Sequence, residues 1–508
     1  MKTKMYPVIP LPPAAMTATL ICYTVLNVGL AYIMPSFPAL GLIGAFVVNI
    51  VVLLFFRPDL ALVVYILVAS PSVGLSLGSG ILSRLYIGNL LFALVMLIWI
   101  LKMVLPKRQS GRLLVDRVLL WPLIALNIIG LISIIYARLC PDPNVPYQYP
   151  HSDVSITLVN LSEMVLLIGL PMFLALIPGV VCTTRNAYAV IVAYIFIGLL
   201  YALCTIFADP LNLYSKQVLL GVRRPEVFGV VSSALGTLIL LFGSVAFAQA
   251  LYVTRLRDRL LWSIMSLAFA LAVIMTFGRE SWLGMFLAVL LMIAFRIRNW
   301  SVLLVLLAPL VLLLIPGVSD FFDPTKTYGS DRFKIWQDAL TIWLHSPYFG
   351  VGAGNFQFFD RVYGTDQVGV AHNQYLQMLA EMGIQGLLCL IWIMVAIGYK
   401  TWQCFNSARS RLGKSVALAY IGFYIAIVFG GLFTGSLIPS AAAGGGTGPF
   451  VEASYRWMLL GLVLSIPNWD QEALEKEQGQ ALDTQKKAKE TAIAPVMTTK
   501  LKRSQPVR

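Results

Sequence analysis

Residues 227–297 read VFGVVSSALGTLILLFGSVAFAQALYVTRLRDRLLWSIMSLAFALAVIMTFGRESWLGMFLAVLLMIAFRI. Three apolar runs, 227–250, 260–278 and 281–297, follow one another with short polar breaks. The first break carries Arg255, Arg257 and Arg259, and the second is Phe277-Gly278-Arg279-Glu280. A bilayer core about 30 Å thick is crossed by about 20 mostly apolar residues in a helix. None of the runs alternates apolar with polar residues, as the strands of a membrane barrel do. The stretch is therefore predicted to be three consecutive membrane helices, the last two forming a tight hairpin.

The same reading extends along the chain and predicts spans at 15–34, 37–56, 60–77, 85–105, 117–137, 154–177, 187–207, 300–316, 373–399, 415–435 and 451–466. Composition agrees: 59% of the 508 residues are hydrophobic and 12% are charged, with mean hydropathy +0.82. Soluble domains carry about 25% charged residues. The fold class is thus all-α, a polytopic transmembrane helical bundle of about 12–14 spans. The run from Ala14 to Met34 resembles a signal sequence in outline, but it is long for one and further spans follow at once, so it reads as an uncleaved first helix. Ser70-Pro71 breaks the third predicted span.

Charge sets the expected orientation. With the N-terminus inside, the inner loops hold Lys102, Lys107, Arg108, Arg112 and Arg117, the Arg255–Arg259 cluster, and Lys400, Arg409, Arg411 and Lys414. Only Asp59, Asp116 and Asp258 oppose the inner set. This is the positive-inside pattern, with both termini cytoplasmic. The net charge of +14 then reflects topology and gives no reason to expect nucleic-acid binding. The loop 317–371 falls outside. At 55 residues it far exceeds an ordinary helix connection, and its aromatic, helix-like content points to function. The tail 467–508, rich in Lys, Glu and Gln, is expected to be disordered or loosely helical.

Outer arginines are few on such a map, so each calls for a reason. From Ser330, an expected N-cap, Phe333, Trp336, Leu340 and Trp343 recur at helical spacing. Arg332 lies within about 40° of Trp336, away from Lys334 and Asp338. A guanidinium on that stripe either snorkels to headgroups or holds an anion such as phosphate, which Arg binds through two parallel hydrogen bonds. Arg223 and Arg224, just before a span, and Arg279, in the outward hairpin, are further candidates; several such sites together suit a pyrophosphate.

His372 stands where the loop meets the next span and is one of three histidines. It is either a helix-start hydrogen-bonding group or a base able to take a proton from a hydroxyl near neutral pH. His345 is expected to interact with the end of its own helix, and His151 to be solvated. Glu163 and Glu381 are intramembrane carboxylates expected to have structural partners. No Asp-x-Asp occurs, and no Cys or His spacing suits a metal; Asp320 and Asp323 beside a proline are a weak signal. Gly350-Val351-Gly352-Ala353-Gly354 lacks the Walker lysine and reads as a flexible turn.

Several strings resemble the O-antigen ligase and polymerase superfamily of bacterial inner-membrane proteins. They are Arg332-Phe333-x-x-Trp336, His345-Ser346-Pro347-x-x-Gly350-Val351-Gly352-Ala353-Gly354-Asn355-Phe356, Ala371-His372-Asn373-Gln374-Tyr375-Leu376-Gln377 and Glu381-Met382-Gly383-Ile384-Gln385-Gly386. The resemblance covers about residues 220–400, which would form the ligase/polymerase-like core between helices 1–219 and 401–466. It implies a metal-independent, inverting glycosyltransferase without a cofactor, multi-pass in the inner membrane, with its site facing the periplasm. The donor would be a glycan on undecaprenyl pyrophosphate. The acceptor would be a sugar hydroxyl, for example on lipid A-core or another lipid-linked glycan, in lipopolysaccharide or exopolysaccharide biosynthesis. His372 would be the base; Arg332 and Arg224 (or Arg223) would hold the pyrophosphate; Arg279, Asn373, Glu381 and Trp336 would support the site. Phe277-Gly278 departs from the family's Ser-Arg turn. The rival reading is a flippase or other transporter of lipid-linked oligosaccharide. Transporters place polar sites at the membrane midplane, whereas the notable groups here fall in outer loops.

Overall fold

The computed structural model describes residues 57–71, 87–104, 116–146, 155–219, 222–297, 329–365, 369–434, 437–439 and 448–479. The predicted spans 15–34, 37–56 and 300–316 lie outside them. Contacts divide the chain into two units, 1–65 with 91–108, and 66–90 with 109–508. The smaller contains most of the short helices α1 (Pro58–Ala69) and α2 (Ile87–Val104). There Tyr65 meets Phe92 with ring centroids 6.4 Å apart. Helix α1 stops at Ser70-Pro71, where proline restricts the preceding residue away from helical geometry.

The larger unit is a helical bundle. Its membrane-length members among the described residues are α3 (Arg117–Leu139), α4 (Ile156–Gly169) continued through a 3-10 turn into α5 (Phe173–Val180), and α6 (Thr184–Ile206). They are followed, after the four-residue helix α7 (Ala208–Leu211) and the hairpin β1 (Tyr214–Leu219) and β2 (Val222–Pro225), by α8 (Ser232–Tyr252), α9 (Leu256–Met275) and α10 (Arg279–Ile297). The sequence from 227 to 297 thus folds as the three helices expected of it. After the outer helices α11 (Gly329–His345) and α12 (Phe356–Tyr363) come α13 (Gln374–Ser407), α14 (Arg411–Gly430) and the shorter α15 (Gly448–Leu464). Among the described residues, eight helices are long and apolar enough to cross a membrane.

Position in the bundle follows composition. In α8, 78% of the apolar window is buried, against 17% in α9, so α8 is central and α9 turns its leucines outward. Tyr194 of α6, Phe242 of α8 and Tyr455 of α15 interlock at centroid distances of 5.5, 5.8 and 5.6 Å. Such edge-on pairs contribute about 0.5–1.5 kcal/mol each beyond area burial.

Helix α13 kinks at Gly383 (φ 69, ψ −170), a conformation essentially restricted to glycine. A Cβ there would lie 2.2 Å from the Tyr348 carbonyl oxygen, and one on Gly350 would lie 2.3 Å from the Glu381 carbonyl carbon. The kink receives the loop 347–355. Val351 N donates to Ala380 O (3.0 Å), Gly352 N to Glu381 O (2.9 Å) and Ile384 N to Pro347 O (3.0 Å). The glycine string read as a flexible turn is therefore a fitted plug, and the two glycine motifs are each other's binding partners.

The start of the tail takes the helical of the two forms expected for it. Residues 466–479 are helical, and α16 denotes this segment. Asp470 accepts from Arg409 N (2.7 Å), Ser410 N (3.1 Å) and Ser410 Oγ (2.5 Å), and Glu477 accepts from Arg411 N (2.9 Å). Glu472 accepts from Thr184 N (3.0 Å). These acids satisfy backbone donors at the starts of α14 and α6, which are otherwise orphaned at helix N-termini. A Lys- and Glu-rich composition does not disclose such distant partners.

Candidate functional site

Helix α11 presents two apolar stripes. Ile335, Ala339 and Ile342 are buried in a small core with Val145, Ile156, Phe356, Phe358 and Ala371. The stripe of Phe333, Trp336, Leu340 and Trp343, read from the spacing as membrane-facing, has Phe333 at 55% and Leu340 at 41% exposure, with Trp336 and Trp343 half-buried. Asp338, placed with the polar face by helical spacing, is buried and accepts from Thr365 N (2.9 Å) and Thr365 Oγ1 (3.0 Å). Ser330 falls inside the helix, which begins at Gly329, rather than capping it. Arg332 is half-buried beside the outward stripe. Four residues on, Trp336 packs edge-on against Phe333 at 5.4 Å, and its Nε1 is buried with no hydrogen-bond partner.

His372 sits immediately before α13 at φ 47, in the left-handed region that side chains other than glycine rarely occupy. Its neighbours pin it. Ala371 N donates to Gln377 Oε1 (2.7 Å), and Asn373 Oδ1 accepts from Tyr375 N (3.0 Å) and Leu376 N (3.1 Å). Asn373 is thus the N-cap of α13. Gln377 Nε2 donates to Glu381 Oε1 (2.6 Å), which also accepts from Phe356 N (3.4 Å). Glu381 is accordingly a buried brace between α13 and the 347–355 loop, the structural role expected for it. Glu163, equally buried, packs its Cβ close to Gly354. Burial, and then the charge of Arg332, hold the His372 imidazole below its ordinary pKa. It is therefore neutral at pH 7, the state in which it can accept a proton.

Three arginines from separate segments act on one another, and one of them, Arg332, acts on His372. Arg224, at the end of the hairpin, donates from Nη2 to Phe277 O (3.3 Å), while its Nε is buried without a partner. Phe277 turns at φ 54 to present that carbonyl. Arg279 opens α10, and Arg332 opens α11. Arg224 is held below its ordinary pKa first by burial and then by Arg279 and Arg332, with Glu280 opposing. Arg279 likewise lies within the fields of Arg332 and Glu280. Guanidinium groups stay charged, so the cluster concentrates positive potential next to a neutral imidazole. Arg223 is exposed on the other face of β2 and acts on Tyr214 across the hairpin. Of the two adjacent arginines, Arg224 is the one that joins the cluster.

His345 closes α11 with Nδ1 2.9 Å from Thr341 O and its ring 4.1 Å from that of Tyr363, away from the cluster. His151, Asp320 and Asp323 lie outside the described residues. Among the described residues no group of three or more His, Cys, Asp or Glu side chains is placed to hold a metal ion. The left-handed Phe228 and Phe277, which shape the arginine turns, carry no sequence signal that spacing could have revealed.

Residues 264–391 match the O-antigen ligase family (Wzy_C, O-Antigen ligase). That region includes Arg279, Arg332 and His372 but not Arg224. The chain is also similar to the teichuronic acid biosynthesis protein TuaE of Bacillus subtilis (strain 168), at 25% identity over 160 residues. The alignment covers 31% of this chain and 30% of that protein, so the chain spans less than a third of the length of the curated relative it matches. One chain of a solved structure, described under "Structural coordination of polymerization and crosslinking by a peptidoglycan synthase complex", aligns with TM-score 0.42 and 16% identity. That alignment covers 69% of this chain and 97% of the other.

Proposed function

Taking the chain as a member of the O-antigen ligase and polymerase superfamily, which the family match and the Bacillus relative support, we propose that this membrane glycan ligase or polymerase transfers a glycan from an undecaprenyl-pyrophosphate donor to a sugar hydroxyl. The observation that carries this reading is the grouping of Arg224 and Arg279 with Arg332, whose charge in turn acts on a neutral His372. The acceptor hydroxyl gives its proton to a ring nitrogen of His372 as its oxygen bonds to the anomeric carbon of the donor. The bond from that carbon to the pyrophosphate oxygen breaks, and its electron pair leaves on undecaprenyl pyrophosphate. Attack opposite the leaving group inverts the anomeric centre. Arg224 and Arg332 hold the pyrophosphate, Arg279 supports them, and the growing negative charge is stabilised by positive groups already in place. Each charge-assisted hydrogen bond contributes about 1.5–3 kcal/mol, so the arginines can bind the leaving group without a metal.

The site stands at the N-terminal end of α13, while Arg409 and Arg411 follow its C-terminal end. The part of α13 after the kink, Ile384–Ser407, is by itself about 36 Å long, enough to cross a bilayer core, so the cluster and the basic loops belong to opposite membrane faces. That supports a site on the periplasmic side of the bacterial inner membrane. The test is His372→Asn, because asparagine tolerates the left-handed backbone that alanine would strain. Transfer should fall by roughly 10²–10⁴-fold, with lipid-linked glycan accumulating and membrane insertion unchanged. Near-normal transfer by this variant would remove His372 from the chemistry.

A further inference from the structure

A second set of charged groups lies in α15, outside the cluster. Arg456 is 5% exposed, and its Nε has no hydrogen-bond partner. Glu452, one turn earlier and half-buried, faces it electrostatically, as does Tyr420 of α14. Among the described residues no ion pair joins the two. The surrounding polar groups satisfy one another. Ser70 Oγ and Tyr201 OH are 2.6 Å apart, Tyr455 OH donates to Ile66 O (2.5 Å), and Tyr194 OH donates to Tyr455 O (2.7 Å). An open carboxylate and an open guanidinium inside an apolar bundle are costly to maintain and mark a functional site.

The position of this pair ties it to the arginine–histidine cluster. Glu452 and Arg456 lie about 6 and 12 Å along α15 from its first residue. Helical side chains lean toward the N-terminus, so the Arg456 guanidinium reaches up toward the level of Glu452. On one side Glu452 acts electrostatically on Tyr201, whose ring packs edge-on against Phe228 at 5.4 Å, four residues after Arg224. On the other side Trp457 Nε1 donates to Leu437 O (3.1 Å), and Leu437 N donates to Gln374 Oε1 (2.9 Å), two residues after His372. The pair therefore lies beneath the segments that deliver both anchors of the site.

Charge separates the two sets chemically. The three arginines with Glu280 carry net positive charge and suit a pyrophosphate. Glu452 with Arg456 carries no net charge, and its carboxylate would repel a phosphate. An acceptor-only carboxylate next to a donor-only guanidinium instead matches neighbouring hydroxyl groups, which both donate and accept. We propose that Glu452 and Arg456 form a second subsite that binds a saccharide unit of the glycan through its hydroxyl groups. This rests on the glycan-transfer reading above.

The experiment uses the full chain in lipid nanodiscs and two probes. One is undecaprenyl pyrophosphate without sugar; the other is the oligosaccharide released by mild acid from the cell's own lipid-linked glycan. Glu452→Gln and Arg456→Lys should each weaken oligosaccharide binding by roughly tenfold or more, the loss expected for one charge-assisted hydrogen bond, and leave undecaprenyl pyrophosphate binding unchanged. Arg224→Ala should show the reverse pattern. If the intact lipid-linked glycan displaces the oligosaccharide, the bound unit belongs to the donor; if both bind together, it belongs to the acceptor. Either result supports the subsite. It is overturned if the wild-type protein fails to bind the oligosaccharide, if either variant binds it as the wild type does, or if the variants lose both ligands alike. The His372→Asn transfer assay judges the glycan-transfer reading separately.

Discussion

The two ends of α13 treat polar groups in opposite ways. At its C-terminal end, Asp470, Glu472 and Glu477 of α16 complete the hydrogen bonding of helix starts, and Ser410 Oγ closes the ring by accepting from Gly413 N (2.9 Å). At its N-terminal end, Arg224 Nε and Trp336 Nε1 have no partner, and His372, Phe277 and Phe228 sit in the left-handed region. Buried polar groups are normally satisfied, and unusual backbone of this kind costs about 1–3 kcal/mol per residue. One end has its helix starts satisfied, and the other leaves buried donors without a partner. The fitted loop 347–355 between them supplies the rigidity that the strained end requires.

The largest effect that would sharpen this contrast is a split between adjacent arginines. Arg224→Ala should reduce transfer by roughly 10–100-fold through loss of a charge-assisted contact to the leaving group. Arg223→Ala should leave the rate within about twofold, the range of an exposed charge. Equal losses in a donor-titration assay would show that the hairpin does not select between them.

Next, Gly383→Ala should break the link between the ends. The added Cβ meets the Tyr348 carbonyl, and the backbone conformation is closed to alanine. Stability should fall by about 1–3 kcal/mol, with new protease cleavage in 347–355. A wild-type thermal midpoint and digest would refute the plug.

Asp470→Ala tests the satisfied end alone. It removes acceptors for two backbone N–H groups and should cost about 0.5–2 kcal/mol, the usual loss for a helix cap. Transfer per folded molecule should be unchanged, so a lower rate at an unchanged thermal midpoint would contradict the division.

The smallest expected effect is on pH dependence. His372 has its pKa lowered by burial and by Arg332. Its neutral, base-competent fraction therefore persists below the pH at which an ordinary histidine protonates, and the rate should fall only as pH drops through that depressed value. Arg332→Gln removes one positive charge, which raises the His372 pKa, so the acid limb should move to higher pH whatever the loss in rate. An unmoved midpoint would show that Arg332 does not act on the histidine.

Much of this was legible in the linear chain. Apolar runs over 227–297 placed α8, α9 and α10 because a bilayer demands length and apolarity that few other structures show. The motif strings picked out His372, Arg332 and Arg279, which the fold brings into one field. Periodicity picked out the outward stripe of α11 but not its buried one, because Ile335, Ala339 and Ile342 are no more apolar than Phe333 and only the neighbouring core decides which face is covered. The capping role of the tail helix was not legible, because its partners lie far away in sequence.

Composition, hydropathy and charge thus determined by themselves that this is a multi-span helical membrane protein, since those properties act locally and along the chain. Its basic clusters likewise separate one set of loops from another before any folding is considered. Tertiary structure alone decided that Arg224 rather than Arg223 faces the cluster and that the glycine motifs lock onto each other at Gly383. It also left Glu452 and Arg456 open beneath the site. Each of these depends on side-chain direction and on contacts between distant segments, which spacing along a sequence does not encode.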